Sequence, residues 1–160
     1  MPIDSTDIDA FCQRFAGCES SEFRGQNRIV VDRESLHDAL RTLRDEHGFD
    51  LLVDITCVDS LNMRDARDRF GLVYLLASTG GNDRLTVRCM VSEPDVSVPT
   101  VTGIWDGANW MEREVWDLYG IRFRDHSDLR RLMLYEEFEG HPLRKDYAKG
   151  KRQPLVGPGR

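Results

Sequence analysis

A chain of 160 residues with a formal net charge of −6, of which 40% are hydrophobic and 31% charged, can build one full core but not two comfortable ones. Its longest apolar run, Leu72 to Ala77, falls far short of the roughly 20 residues that a membrane-spanning helix needs. The opening MPIDSTDIDAF has neither the basic nor the apolar region of a secretory signal, so the chain is expected to stay in the cytoplasm.

Residues 4 to 16 place Ile8, Phe11, Cys12 and Phe15 at helical spacing behind a Ser/Thr/Asp start, and Gly17 ends the pattern. This predicts an amphipathic packing helix. Glu19 to Arg24 is short and polar. Gln26-Asn27 then leads into the β-branched run Ile29, Val30, Val31, which reads as a first hairpin closing into a strand. From Asp32 to Glu46, the residues Leu36, Ala39, Leu40 and Leu43 recur at the helical period, with Gly48 just beyond as a stop. His37 and His47 lie near the two ends of this helix and read as exposed or end-capping groups, since neither has a second ligand type at metal spacing.

In Phe49 to Val58 the residues Leu51, Val53, Ile55 and Cys57 alternate with Asp50, Leu52, Asp54 and Thr56, predicting a strand that buries the first set. Asp54 and Asp59 would face opposite ways on a regular strand. Capping or solvation at the Asp59-Ser60 turn is therefore expected rather than chemistry between paired carboxylates. After a polar link over Leu61 to Asp68, containing Arg64 and Arg67, two further strands span Phe70 to Ser78 and Arg84 to Val91. The intervening Thr79-Gly80-Gly81-Asn82-Asp83 is a hairpin loop. It is not a phosphate loop, because no helix and no Lys-Ser/Thr follow it. Pro94 and Pro99 bracket a loop, and a helical start is expected at Pro99-Thr100, broken by Asp106-Gly107.

As a helix, residues 110 to 119 put Met111, Val115, Leu118 and Tyr119 on one apolar arc and gather Arg113, Glu114 and Asp117 on the opposite side. Glu112 falls inside the apolar arc, where a lone carboxylate is costly to desolvate. It is expected to find a cation, either Arg130, Arg131 or one brought by a partner. After Gly120, Ile121 and Phe123 alternate with Arg122 and Arg124 in a short extended piece, and residues 128 to 134 form one more helical or extended turn. The expected fold is α+β: a mostly antiparallel sheet of about four strands covered on one side by helices. The domain spans residues 1 to 140, and an extended basic tail spans 141 to 160.

The chain offers little for chemistry of its own. Cysteines 12, 18, 57 and 89 form no CxxC pair and are expected to be reduced structural thiols. His126, Asp128, Glu136, Glu137 and His141 are ligand types without an HExxH, and Pro142 pushes His141 toward an extended conformation. No GxSxG is present, and Cys57 and Cys89 fall in strands. Arg130, Arg131, Arg144 and Lys145 form a cationic cluster, expected to pair with Glu112, Glu114 or a partner carboxylate, because Arg bonds carboxylates bidentately. Residues 141 to 160 hold six Lys/Arg against one Asp, while the rest of the chain holds 16 against 27 acidic groups. An acidic body repels phosphate, so a protein partner is expected and nucleic acid is not.

One long pattern carries more than this. Glu112-Arg113-Glu114, Trp116-Asp117-Leu118-Tyr119-Gly120-Ile121, then Phe123, His126, Leu129-Arg130-Arg131 and finally Gly140-His141-Pro142-Leu143-Arg144-Lys145-Asp146-Tyr147 closely resemble the C-type subunit of NADH-quinone oxidoreductase, the 30-kilodalton subunit of respiratory complex I. The resemblance covers roughly residues 25 to 148; Ser127 departs from it where relatives commonly carry Pro. It implies a peripheral-arm subunit that binds no cofactor itself, in a complex holding NADH, FMN, iron-sulfur clusters and quinone. The implied partners are subunits D, B and I, chiefly the first, at the cytoplasmic face of the bacterial inner membrane, which the chain reaches only through the complex. The interface residues so implied are Glu112, Arg113, Glu114, Asp117, His126, Arg130, Arg131, His141, Pro142, Arg144, Lys145, Asp146 and Tyr147, and catalysis belongs to the assembly. Two alternatives stand beside this: the equivalent subunit of a membrane-bound hydrogenase or a non-NADH dehydrogenase, and a free-standing protein-binding module.

Overall fold

The computed structural model describes residues 5 to 66 and 68 to 153. Asp4 of the first expected helix, Arg67 of the polar link and residues 154 to 160 of the tail lie outside the described residues. In chain order the elements are α1 (Ser5–Cys12), β1 (Glu19–Phe23), β2 (Gln26–Val30), α2 (Leu36–Asp45), β3 (Leu51–Asp59), β4 (Phe70–Ala77), β5 (Arg84–Val91), β6 (Ser97–Pro99), α3 (Ala108–Tyr119) and β7 (Arg122–Arg124). Among the described residues no helix is long and apolar enough to cross a membrane.

The main sheet has five strands in the order β1-β2-β5-β4-β3. Every pairing in it is antiparallel except β2 with β5. The polar stretch Glu19–Phe23 is a strand in its own right, held by pairing along β2 although every residue in it is exposed. An edge strand with no buried face carries no alternating apolar signal, which is why composition alone does not separate it from a turn. The α+β class and the single covered face are as expected. Ile29, Ile55, Cys57, Leu72, Tyr74, Leu76, Val87 and Cys89 form the inner face, and Leu36, Ala39, Leu40 and Leu43 of α2 join them in the core.

Three expectations change. In β3 the register slips between Leu52 and Asp54, so Leu52 is buried while Leu51 and Val53 stand about half exposed. A bulge shifts the period-two pattern by one place. Residues 97 to 99 are not a helical start but strand β6, which pairs in parallel with β7 to make a separate two-stranded sheet. Finally, α2 begins at Leu36, because Asp32 to Ser35 are spent in a turn closed by Ser35 N–H donating to the Asp32 carbonyl. All four cysteines carry free thiols, and three of them are buried.

Candidate functional site

Helix α3 is where the sequence pattern and the tertiary structure concentrate. Ala108 and Val115 bury against the core, with Met111, Trp116 and Tyr119 packed at its margin. On the opposite side Glu114 faces solvent, but its two neighbours on the helical arc do not. Arg113 is 7% exposed and Asp117 fully buried, because the chain leaving β7 returns across that side. A helix read alone cannot reveal that a later segment will cover its polar face.

Asp117 organises the return. One carboxylate oxygen pairs with Arg131 at 2.6 Å. The other accepts the amides of Leu132, Met133 and Leu134 at 3.0, 2.8 and 2.9 Å. Burial alone would make this carboxyl a weaker acid, but the Leu134 amide, the Arg131 guanidinium and the other two amides outweigh it and hold its pKa below the usual carboxylate range. Arg131 also donates to the Phe138 carbonyl at 2.6 Å and lies near the Trp116 and Phe138 rings. One turn earlier, Arg113 donates to the carbonyls of Arg130 and Arg131 at 3.1 and 3.2 Å while stacking over Trp110.

The GHPLRK run closes over the helix end as a clasp. A helix leaves its last carbonyls without partners, and here each finds a donor. Gly120, at φ 75°, returns its N–H to Trp116 O at 2.8 Å. His141 Nδ1 meets Asp117 O at 2.9 Å, Leu143 N–H donates to Leu118 O at 3.1 Å, and Arg144 Nε donates to Tyr119 O. A carbonyl can only accept, so Nδ1 of His141 carries the proton. Burial lowers the basicity of this imidazole, Arg144 and Arg131 lower it further, and the neutral ring that results keeps that donor. A Cβ on Gly120 would come within 2.5 Å of the His141 ring, so glycine is required there both for the left-handed backbone and for the space.

Beyond the helix end, Lys145 N–H donates to Asp59 at 2.8 Å. Asp59 also accepts from Leu61 N–H and from Arg69, and Arg69 in turn bridges to Asp146 at 2.8 Å and Glu93 at 2.9 Å. Asp59 does cap its turn, but its side chain is fully buried. Burial alone would weaken it as an acid, and Arg69 with the two amides overrides that, leaving it a stronger acid than a free aspartate. Sequence reasoning misses both Asp59 and Arg69 as members of the site. The available signal is that Asp59 continues the inward series Ile55, Cys57. The boundary expected at residue 140 is thus bridged by bonds running from residues 141 to 147 into α3, β3 and Arg69.

Glu112 corrects an expectation. It is fully buried, yet neither Arg130 nor Arg131 reaches it. It accepts from Thr100 Oγ1 and from Val101 N–H, each at 2.6 Å, with His126 Nε2 3.9 Å away. Burial outweighs these hydrogen bonds and pushes the carboxyl up to about 7. His126 is buried beside it; its Nδ1 accepts the Asp128 amide at 3.0 Å and its Nε2 lies 3.4 Å from Asn109 O. Arg130 is exposed at its side chain and pairs with Asp128 at 3.0 Å, Glu114 is exposed, and Pro142 is half-buried. Tyr147 stacks on Phe138 and accepts from Gln153 at 3.0 Å. Among the described residues no group of three His, Cys, Asp or Glu is placed to hold a metal. What the arrangement does chemically is fix a surface, since nearly all of its polar atoms are spent on one another.

The chain matches the family described as respiratory-chain NADH dehydrogenase, 30 Kd subunit, over residues 29–153, an interval that takes in the whole clasp. It is 45% identical over 142 residues to the C-type NADH-quinone oxidoreductase subunit of Trichlorobacter lovleyi, covering 89% of this chain and 83% of the relative. To NADH-quinone oxidoreductase subunit 5 of Thermus thermophilus it is 43% identical over 138 residues, covering 82% of this chain and 66% of the relative. Among solved structures it is similar to the trypsin-resistant fragment (1-134) of Nqo5, with a TM-score of 0.70 and 36% identity over 76% of this chain and 96% of that one. A chain of the archaeal membrane-bound sulfane sulfur reductase shares the fold, with a TM-score of 0.75 at 22% identity over 89% of this chain and 84% of that one.

Proposed function

Because this chain belongs to the respiratory-chain NADH dehydrogenase 30 Kd subunit family, we propose that it is a peripheral-arm subunit of a proton-translocating NADH:quinone oxidoreductase, in contact with subunits D, B and I and docking chiefly on the first. In this reading it binds no cofactor. NADH, FMN, iron-sulfur clusters and quinone are held by other subunits, and the chain sits at the cytoplasmic face of the inner membrane through the complex alone. Its contribution to turnover is to hold its neighbours in place.

The observation that carries the docking role is what the clasp leaves outside. Trp110, Met133 and Leu143 are 58%, 62% and 47% exposed, on a scaffold in which Asp117, Arg131, Arg113 and the last carbonyls of α3 are bonded to one another or to the returning chain. Glu114 and the side chain of Arg130 are exposed beside them. Large apolar groups with charges among them, on rigid backbone, have the character of an interface. The test replaces Trp110→Ala, Met133→Ser and Leu143→Ser together. These side chains are about half exposed and make none of the hydrogen bonds of the clasp, so circular dichroism of the isolated chain should be unchanged, while incorporation into the peripheral arm on native gels falls at least about tenfold, the size expected when an apolar anchor is lost. Full incorporation with full NADH:quinone oxidoreductase activity would defeat the proposal.

A further inference from the structure

The sheet has one face covered by helices, and its other face is unusually dressed for a surface exposed to water. Outer positions of a sheet covered on one side are normally polar. Here β3 presents Leu51, Val53 and Val58 at 46%, 48% and 40% exposure, with Leu75 of β4 half-buried beside them. The β3 bulge is what turns Leu51 and Val53 outward together. They border a cleft of about 360 Å³ that runs across β4 to Arg84 and Thr86 of β5 and to Gln26 and Asn27 of β2.

The second feature is charge. Arg84 and Arg88 lie on the same outer face of β5, roughly 13 Å apart at strand spacing. Arg28 of β2 stands in register with Thr86, between them. Several other arginines are paired: Arg14 with Glu46, Arg33 with Asp95, Arg69 with Asp59, Arg131 with Asp117. Among the described residues Arg84 and Arg88 have no ion-pair partner, and Arg28 lies over the Phe23 ring. Against three arginines the same face sets Glu19 and Asp54, in a chain whose net charge is −6. A row of guanidinium groups flanking an apolar cleft is complementary to carboxylates carried beside apolar side chains. Glu19 and Asp54 interrupt the arginine row, which suits a short segment whose carboxylates are spaced among apolar side chains rather than the continuous negative charge of an anionic bilayer or nucleic acid.

We infer that the helix-free face of the sheet is a second docking surface, distinct from the clasp, which takes an acidic segment of a neighbouring protein: its apolar side chains enter the cleft at Leu51, Val53 and Leu75 and its carboxylates meet Arg84, Arg28 and Arg88. This rests on the reading of the chain as one subunit of a larger assembly. Helix α3 and this face lie on opposite sides of the sheet, so the chain is held between two neighbours.

The experiment uses the assembled complex. A photoreactive benzoylphenylalanine replaces Val53 in the full chain, and separately Arg84→Glu and Arg88→Glu are combined. The expected results are a crosslink from position 53 to an acidic stretch of another subunit, and a charge-reversed subunit that folds as before but is at least about tenfold more easily stripped from the complex by salt. A crosslink to lipid or to a second copy of this chain overturns the proposal, as does the absence of any crosslink or an unaltered salt profile. If the Trp110, Met133 and Leu143 variant is lost from the complex while these variants are retained, this face alone is excluded and the subunit reading stands. If the unmodified chain enters no such complex, both fall.

Discussion

Asp117 and Arg131 meet at 2.6 Å across the seam between α3 and the returning chain, both ends shielded from water. Either partner alone would leave a charge or several donors buried and unsatisfied, and breaking such a pair costs about 3–5 kcal/mol. Asp117→Ala and Arg131→Ala are each expected to lower stability by this order. The double variant should cost less than the two together, because the second change removes a group already stranded. Urea unfolding of all four forms gives the coupling; additive losses would show that the pair does not act as a unit.

Gly120→Ala tests the helix end. The left-handed backbone alone costs about 1–2 kcal/mol for a residue with a Cβ, and the added carbon would also press on His141 and Arg144. A loss of at least ~2 kcal/mol is expected, together with faster hydrogen exchange at the Leu143 amide, which bonds the Leu118 carbonyl. Unchanged exchange there would separate glycine's backbone role from the clasp.

Glu112 makes stability depend on pH with an unusual sign. Its carboxyl titrates at about 7 when folded, against an ordinary value of 4.5, so between those limits the native state holds the extra proton. Stability from this group is full below about 4.5 and is lost as pH rises to about 7 and beyond, by on the order of 3 kcal/mol. His126 Nε2 lies 3.9 Å from it, and burial together with the Glu112 charge raises the Tyr74 phenol in turn. Glu112→Gln keeps an acceptor for Val101 N–H and removes the charge, so it should flatten this dependence and equal or exceed the wild type at about pH 8. Thermal midpoints at about pH 5 and pH 8 for both forms decide it; a variant that is weaker at the higher pH would refute the assignment.

Asp59 and Asp117 behave oppositely. Each is a stronger acid when folded, so their contribution is present above the ordinary carboxylate range and fades as pH drops through their lowered values. Asp59→Asn should cost roughly 2 kcal/mol at neutral pH, because it removes the charge that Arg69 and the Leu61 and Lys145 amides share, while Asp146 and Glu93 still hold Arg69. The gap to wild type should narrow at an acidic pH value below the ordinary carboxylate range, where the contribution of the wild-type carboxylate fades. A gap of equal size at both values would mean that the charge is not what Asp59 contributes.

Helix α2 and strands β4 and β5 are legible in the sequence because their apolar spacing is strong, and Glu112 stands out because a carboxylate breaks such a spacing. Its partners are not legible: Thr100 and Val101 lie in a segment with no strong period of its own, where Pro99 suggests a helical start. Leu51 and Val53 fall on the unexpected face, since a single bulge changes the phase of every residue before it and leaves no mark in composition. The long motif can be matched as a pattern, but not the fact that its two halves bond to each other.

By itself the sequence determined most of the segments that are helix or strand, that one side of a sheet would be covered, and to which family the pattern belongs, because these follow from neighbours a few residues apart. The tertiary structure decided that Asp117 is buried rather than solvated, that GHPLRK caps α3, and that Asp59 receives Lys145 from 86 residues away. Such contacts depend on where the chain returns, and a side chain's environment is set by whatever finally packs over it, which no local period encodes.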